Sequence, residues 1–215
     1  MKRKIDLYLI LGFSFFFLFC ILTILLTFDV GVIAPSGGQV GLSHINNIVT
    51  YKENATLNKI SDIFFYFSFV VVAFAVVLGI YQLIKRKSIK KVDREIVIFG
   101  IFLILAVVIW ILFDKLLKIN VRPINADEGS YPSTHVFLTT FFMITGHMFL
   151  TKMFKNNIIK YGTLIVAIIF IVVTMILRVA SGMHYITDVL GGLFIGLSFY
   201  FLTFGTAKKF PNYNE

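Results

Sequence analysis

Charged residues are scarce in this sequence. Asp, Glu, Lys and Arg make up only 14% of its 215 residues, whereas 58% of the residues are hydrophobic and 25 residues are phenylalanine. A soluble domain of this length could not cover its surface with so few polar groups. This scarcity excludes an ordinary water-soluble domain, and the mean hydropathy of +0.90 favours a protein that lies in the lipid bilayer.

Cysteine and acidic residues are also few. The single cysteine, Cys20, lies inside an apolar run, which excludes an intramolecular disulfide and argues against a metal site built on cysteine. Asp and Glu number 11 against 20 Lys and Arg, so the net charge is +9 at pH 7. Such an excess suits nucleic acid or anionic lipid. Because the basic residues flank apolar runs, we expect membrane lipids as partners and no nucleic acid.

The sequence does contain six long apolar runs. Each run is long enough to cross a hydrocarbon core of about 30 Å at about 1.5 Å per residue. We therefore predict an all-α integral membrane bundle of six transmembrane helices, organised as a single membrane domain over residues 1–215. The first run is too long for a signal peptide and has no cleavage pattern after it, so we interpret it as a retained anchor. The predicted spans are Ile5–Phe28, Ser61–Ile84, Glu95–Leu117, Thr134–Met153, Ile158–Leu177 and Tyr185–Phe204.

The distribution of positive charge predicts the orientation. Six spans place both termini on one side of the membrane. That side carries 14 of the 20 Lys and Arg residues, and the other side carries six. Because cytoplasmic loops are enriched in Lys and Arg, we predict that both termini are cytoplasmic. Residues 29–60, which we predict to be a polar loop, then face outward, as do residues 118–133 and the turn between the fifth and sixth spans.

Ionisable residues cluster in that last turn. Arg178, His184 and Asp188 lie between two apolar runs. An ionisable residue at membrane depth costs about 2.5–3.5 kcal/mol on insertion scales, so such a cluster indicates function. His184 and Asp188 are four residues apart, which on a helix would place them on one face. The carboxylate could then bind one imidazole nitrogen while the other nitrogen faces a substrate.

Three short motifs occur in order on the predicted outer face. They are Lys115 to Pro123, Pro132 to His135, and Arg178 to Asp188. Together they resemble the type 2 phosphatidic acid phosphatase superfamily, whose pattern is Lys-x6-Arg-Pro, then Pro-Ser-Gly-His, then Ser-Arg-x5-His-x3-Asp. The chain has Thr134 where the family commonly has Gly, and Leu177 where it commonly has Ser. The resemblance covers about residues 95–204, which we predict to be the phosphatase core.

The resemblance implies a hydrolase of lipid phosphates that needs no cofactor and no metal. It implies that His184 attacks phosphorus to give a phosphohistidine, that Asp188 holds the tautomer of His184, and that His135 protonates the leaving oxygen. Arginine suits this chemistry because its guanidinium is always charged and matches phosphate oxygens, and the first backbone N–H groups of the fourth span could bind phosphate as well. The predicted phosphate-binding residues are Lys115, Arg122, Ser133, Thr134 and Arg178.

The predicted outward-facing site suggests a substrate. Undecaprenyl diphosphate is favoured, and phosphatidic acid and phosphatidylglycerol phosphate are alternatives. The chain is then a multi-pass cell-membrane protein with an extracytoplasmic active site, and its Ile, Phe, Lys and Asn usage suggests a bacterial source. An alternative of another class is a non-catalytic transporter or lipid-binding protein. Transporters place their sites near the bilayer midplane, often with internal repeats, whereas these charges lie at span ends. The sequence does not indicate an oligomeric state.

Several residues have a second interpretation. Lys115 could simply lie at a span end with its charge in the interface, and Ser133 could serve only as a helix N-cap. Asp127 and Glu128 could repel or screen an anionic substrate, and the sequence does not decide between the two.

Two further patterns concern packing. Gly192 and Gly196 predict close packing of the sixth span against a neighbouring helix. Asp114 is predicted to pair with Lys115 or Lys118.

Overall fold

The computed structural model describes residues 6–32, 38–125 and 127–210. Within these ranges there are seven α-helices, and six of them are long and apolar enough to cross a membrane. The predicted six-helix membrane bundle is confirmed, although a small two-stranded sheet accompanies it. The elements are α1 Leu7–Phe28, β1 Val30–Val32, β2 Gln39–Gly41, α2 Ser43–Asn46, α3 Ala55–Arg86, α4 Arg94–Ile111, α5 Thr134–Phe154, α6 Asn157–Ala180 and α7 Ile186–Ala207.

Polar side chains set the starts of several spans. Asp6 accepts a hydrogen bond from the N–H of Tyr8, Asn54 from that of Leu57, and Asn156 from that of Ile158, so each satisfies a backbone donor that has no partner inside the helix. The predicted ends agree with the observed ones to within a few residues at most boundaries. The predicted start of the first span, Ile5, lies outside the described residues.

The second span is longer than predicted. The helix α3 begins at Ala55 and not at Ser61, and it runs for 32 residues to Arg86. A helix of that length is about 48 Å long at 1.5 Å per residue, which exceeds a hydrocarbon core of about 30 Å. The prediction was wrong here because hydropathy marks the depth of the hydrocarbon and not the end of the helix. Two polar residues, Asn58 and Lys59, belong to the first turns of α3.

The loop between the first two long helices has regular structure of its own. The strands β1 and β2 pair antiparallel, with Val30 opposite Gly41, and the short helix α2 follows. This pair stands at the end of α1, where Gly41 lies so close to Leu26 that a Cβ atom at position 41 would be 2.1 Å from the Leu26 carbonyl oxygen. The prediction of a polar loop over residues 29–60 is therefore wrong in part, because two strands, a short helix and the start of α3 lie within it.

Two helices form the centre of the bundle. In α5 and α7, more than half of the residues in the most apolar stretch are buried. In α1, α3, α4 and α6, fewer than a quarter of the residues in the corresponding stretch are buried. The helix α7 contacts α1, α5 and α4, and α5 contacts α6 and α3. Gly192 and Gly196 lie against α5, because a Cβ at Gly192 would be 2.6 Å from the Ser133 carbonyl oxygen. The packing predicted for these two glycines is confirmed.

Aromatic rings fill the space between the central helices. Phe137 and Phe199 meet edge to face with their centroids 5.1 Å apart, and Phe99 lies 5.1 Å from Phe141. Such contacts add to the burial of apolar area. At one end of the bundle, Lys208 Nζ lies 3.9 Å from Asp6 Oδ1, so the start of α1 and the end of α7 are adjacent. The three motifs lie at the opposite end.

Candidate active site

A cavity opens at the end of the bundle where α3, α5 and α7 begin and α6 ends. Its volume is about 410 Å³. One wall is polar and includes Arg122, Thr134, His135, Arg178 and His184, which are five of the eight predicted site residues. The remaining wall is apolar and comes from α3, α4 and α5, with Phe65, Phe69, Leu103, Val107, Trp110, Phe137, Leu138 and Phe142.

His184 lies in the turn between α6 and α7. It is only 4% exposed, and its backbone N–H donates to the carbonyl oxygen of Arg178. Burial, and then the positive charges of Arg178 and Arg122, hold the pKa of His184 well below its usual range. A neutral imidazole carries a nitrogen lone pair, which is what a nucleophile requires.

Asp188 lies behind His184 and does not line the cavity. Because α7 begins at Ile186, the two residues do not share a helix as their spacing suggested. The Nδ1 atom of His184 is 3.7 Å from Asp188 Oδ2, which is an ion-pair distance and longer than a hydrogen bond. Asp188 is wholly buried and accepts hydrogen bonds from Asn120 Nδ2 at 2.8 Å and from the N–H of Tyr185 at 2.9 Å.

The partner Asn120 was not anticipated from the sequence. It is fully buried, and its Oδ1 accepts a hydrogen bond from the N–H of Gly41 at 3.0 Å, so it connects β2 to Asp188. Asn46 on α2 extends this network by donating to Thr187 at 2.9 Å. No pattern in the sequence indicated these contacts, because they join segments that are far apart along the chain.

The predicted cations differ in their placement. The side chain of Arg178 is 3% exposed and donates to Asn58 Oδ1 at 2.7 Å. The Nε atom of Arg122 lies 3.1 Å from Glu128, so Glu128 pairs with one of the cavity cations. Lys115 does not line the cavity: its side chain is 65% exposed, and its Nζ lies 2.7 Å from Asp114. The pairing predicted for Asp114 is confirmed, and Asp114 itself does line the cavity.

A change of helix type explains the position of Lys115. The last part of the third span, Leu112–Leu117, is a π-helical turn, in which the N–H of Lys118 donates to the carbonyl of Phe113. Such turns shift the side chains that follow them and are frequent at functional sites. Here the turn directs Phe113 and Asp114 to the cavity.

Ser133 and Thr134 form the start of α5. Ser133 occupies the N-cap position, but its hydroxyl makes no capping hydrogen bond. Its Oγ is buried and has no hydrogen-bond partner among the described residues. Thr134 lines the cavity, where the first N–H groups of α5 lack partners inside the helix and suit an anion.

His135 follows Thr134 and contacts α3. Its Nε2 is 2.9 Å from Asp62 Oδ1, and its ring stands 4.2 Å from that of Phe65, centroid to centroid. Neither contact was anticipated, although a carboxylate one residue into the second predicted span was a visible signal.

Two comparisons with known proteins find similarity to one superfamily. Residues 113–211 match the family model of the PAP2 superfamily. No curated protein matches the sequence significantly. The chain is similar to the crystal structure of a transmembrane PAP2-type phosphatidylglycerolphosphate phosphatase from Bacillus subtilis, with 22% identity, a TM-score of 0.64, and coverage of 94% of this chain and 98% of that one.

This likeness shows a shared fold, and it extends the match beyond residues 113–211 to the helices before them. The predicted resemblance is confirmed by the family-model match and by the structural likeness. Residues 113–211, which match the PAP2 superfamily model, hold all eight predicted site residues.

Proposed function

We propose that the protein is a membrane-bound hydrolase of lipid phosphates that works through a phosphohistidine. One observation carries this proposal: a single cavity combines Arg122, Arg178, His135 and a buried His184 with an apolar wall of membrane helices. The polar wall suits a phosphate group and the apolar wall suits the adjoining part of a hydrocarbon chain. The family supports the same class of reaction, because PAP2 proteins are phosphatases that act on lipid phosphates.

The reaction has two steps. In the first, the Nε2 lone pair of His184 attacks the terminal phosphorus, the bond from that phosphorus to the leaving oxygen breaks, and His135 gives a proton to the leaving oxygen. The leaving oxygen is the ester oxygen of a phosphomonoester or the bridging oxygen of a diphosphate. In the second, His135 takes a proton from water, the water oxygen attacks phosphorus, and the bond to Nε2 breaks. Arg122 and Arg178 stabilise the charge on the phosphoryl oxygens in both steps. Asp188 faces the Nδ1 side of the His184 ring and so leaves Nε2 for the attack.

The remaining predicted residues have secondary parts in this proposal. Ser133 and the N–H groups around Thr134 add neutral donors at the start of α5. Lys115 would have to leave Asp114 to reach the phosphate, so we assign it to the approach of the substrate and not to the chemical steps. No step requires a metal, and across residues 6–32, 38–125 and 127–210 no three His, Cys, Asp or Glu side chains converge as ligands would.

Two substrates are the leading candidates. Undecaprenyl diphosphate fits a site that faces outward, which is the orientation that the basic residues favour. Phosphatidylglycerol phosphate is favoured by the likeness to the Bacillus subtilis structure. Phosphatidic acid stays a third candidate. All three carry a phosphate at the membrane surface and tails in the hydrocarbon.

Phosphate release by the purified protein tests the proposal. We expect release from at least one of the three lipids in detergent with EDTA present. The His184→Ala variant should lose at least about 10³-fold, since it lacks the nucleophile, and the exposed His44→Ala is the matched control that should keep the wild-type rate. Full activity in His184→Ala, or loss of activity on adding EDTA, would contradict the mechanism.

A further inference from the structure

Two polar residues on α3 reach into the site although the helix lies outside the family-matched region. Asp62 Oδ1 is 2.9 Å from His135 Nε2 and 3.8 Å from Arg178 Nη1. Asn58, one helical turn earlier, accepts a hydrogen bond from Arg178 Nη1 at 2.7 Å. Residues four apart lie on one helix face, so Asn58 and Asp62 form a single polar edge on α3.

We propose that Asp62 is a positioning residue for the general acid His135, and that Asp62 and Asn58 together position the phosphate-binding Arg178. This inference rests on the proposed function. It adds a contributor outside the three motifs, because the motifs lie within residues 113–211 and supply the reacting groups, whereas α3 holds two of these groups in place.

The contact with His135 is fixed from two directions. Asp62 binds one ring nitrogen, and Phe65, three residues later on α3, packs against the ring with an angle of 33° between the planes. A carboxylate accepts hydrogen bonds, so Nε2 carries a proton in this pair. The proton that the ring can pass to a substrate oxygen is then the one on Nδ1. The arrangement resembles the way an aspartate orients a catalytic histidine in hydrolase triads.

The charges around His135 come from three elements. Asp62 on α3 supplies the negative charge that balances a doubly protonated ring. Arg178 on α6 and His184 before α7 face the same ring, and a positive charge on either opposes its protonation. In the first step, the doubly protonated ring of His135 therefore depends on the carboxylate of Asp62 to balance its positive charge. In the second step the neutral ring accepts a proton from water, and Asp62 again balances the charge that forms.

The contact with Arg178 has a separate consequence. The guanidinium is almost completely enclosed, with 3% of its side chain exposed, so water cannot orient it. Asn58 holds one nitrogen of the fork, which leaves the other nitrogens for phosphate oxygens. Asn58 thus affects binding of the phosphate, whereas Asp62 affects mainly the transfer of protons.

A pair of substrates with different leaving groups tests the part played by Asp62. The leaving oxygen of dodecyl phosphate needs a proton. An alkyl-substituted 4-nitrophenyl phosphate instead releases a nitrophenolate, which is stable as an anion and needs no proton. For Asp62→Asn we expect a loss of about 10²-fold with dodecyl phosphate, which is the scale of general acid catalysis. With the aryl ester we expect a burst of nitrophenolate equal to the enzyme present, followed by slow turnover, because the second step still needs His135.

Controls separate this role from a structural one. Asp62→Glu should restore part of the rate because it keeps the charge, and Asp29→Asn, which removes a carboxylate exposed at the same end of the bundle, should leave both rates unchanged. Asn58→Ala should raise the concentration of inorganic phosphate needed for inhibition. The ratio of its hydrolysis rates with the two substrates should stay as in the wild type. Equal losses of Asp62→Asn on both substrates, without a burst, would overturn the proposal.

A measurement without turnover distinguishes failure of this inference from failure of the proposed function. The ¹⁵N shifts of His135 in histidine-labelled protein should show a protonated Nε2 in the wild type and a change of tautomer population in Asp62→Ala. Unchanged shifts would show that Asp62 does not hold His135, whatever the activity. If the shifts change as expected but the wild type hydrolyses none of the phosphate esters, the proposed function fails and the catalytic role of Asp62 falls with it.

Discussion

At the scale of single residues, the site depends on how each side chain is enclosed. His184 is nearly inaccessible to water and faces two arginines, whereas Lys115 of the same family pattern stays in solvent beside Asp114. Arg178 belongs to the cavity because α3 supplies Asn58 and Asp62 as its partners. Residue type gave each of these side chains the capacity to bind phosphate, and its surroundings decide whether it is placed to do so.

The lowered pKa of His184 leads to a prediction about stability and pH. In the unfolded chain this histidine has its ordinary pKa of 6.5 and takes up a proton as the pH falls below that value, whereas in the folded protein it stays neutral. The unfolded state then binds more protons, so stability falls as the pH falls through this range. In His184→Gln that contribution is absent.

Melting temperatures in detergent at pH 7.5 and pH 5 test whether His184 lowers stability on acidification. The wild type should lose a few degrees more than His184→Gln on acidification. His44→Gln, which alters an exposed histidine, should follow the wild type. An equal loss in wild type and His184→Gln would show that the His184 pKa is not lowered by the fold.

At the scale of elements, the close contact of α5 and α7 sets the geometry of the site. The start of α5 carries Ser133, Thr134 and His135, and Ser133 N–H donates to the carbonyl of Asp188 on α7 at 3.0 Å. This contact is possible because glycines of α7 face α5. The π-helical turn that ends the third span has the same kind of effect, since it determines which of Asp114 and Lys115 faces the cavity.

Substitution of a packing glycine tests this arrangement. A Cβ at position 196 would lie 2.7 Å from Thr140 Cβ and 2.8 Å from the Phe137 carbonyl oxygen, so α7 would have to move away from α5. We expect Gly196→Ala to lower stability by about 1–3 kcal/mol, as overpacking does, and to reduce phosphate release. Thermal unfolding and phosphate release in detergent measure the two effects.

Gly162 on α6 offers the matched control. Nothing lies within 4 Å of a Cβ built there. We expect Gly162→Ala to leave phosphate release unchanged and to raise stability by up to about 1 kcal/mol, because alanine favours the helix. If Gly196→Ala and Gly162→Ala had the same stability and the same rate of phosphate release, the close approach of α5 and α7 would not determine the geometry of the site.

At the scale of the whole molecule, the bundle places all the motif residues at one end and the neighbourhood of Asp6 and Lys208 at the other. We propose, as the basic residues suggest, that the motif end faces outward and the termini face the cytoplasm. This orientation would bring the cavity to the outer water interface, where the phosphate of a lipid lies.

Cysteine labelling decides the orientation. In a Cys20→Ser background, a cysteine at Ile48, which is 76% exposed at the motif end, should react with an impermeant thiol reagent in intact cells. A cysteine at the exposed Lys90, between α3 and α4, should react only after lysis. The reverse pattern would place the active site on the cytoplasmic side and would remove the main argument for undecaprenyl diphosphate.

The class of the protein could be predicted from its amino-acid sequence. Six apolar runs of about 20 residues predict membrane helices, because a helix of that length spans the hydrocarbon and satisfies its backbone groups within itself, and their number and order could be predicted. The motif residues around Arg122, His135 and His184 could be found as well, because their order and spacing resemble the pattern of a known family and their residue types suit phosphate chemistry. Span ends were less certain, as the early start of α3 at Ala55 shows, because hydropathy does not mark where a helix stops.

The contacts of the motif side chains with other segments depend on the folded arrangement of the helices. Asp62 and Asn58 reach His135 and Arg178, and Asn120 reaches Asp188, across separations of 68 to 120 residues along the chain. Such partners depend on how α3 and the connection before α5 pack against α5, α6 and α7, which local spacing does not encode. The same holds for Lys115, whose place in the pattern predicts a phosphate ligand but whose π-helical turn directs it towards solvent. Motif pattern and residue type thus predicted the candidate reacting groups, and the packing of distant helices decided which side chains contact them.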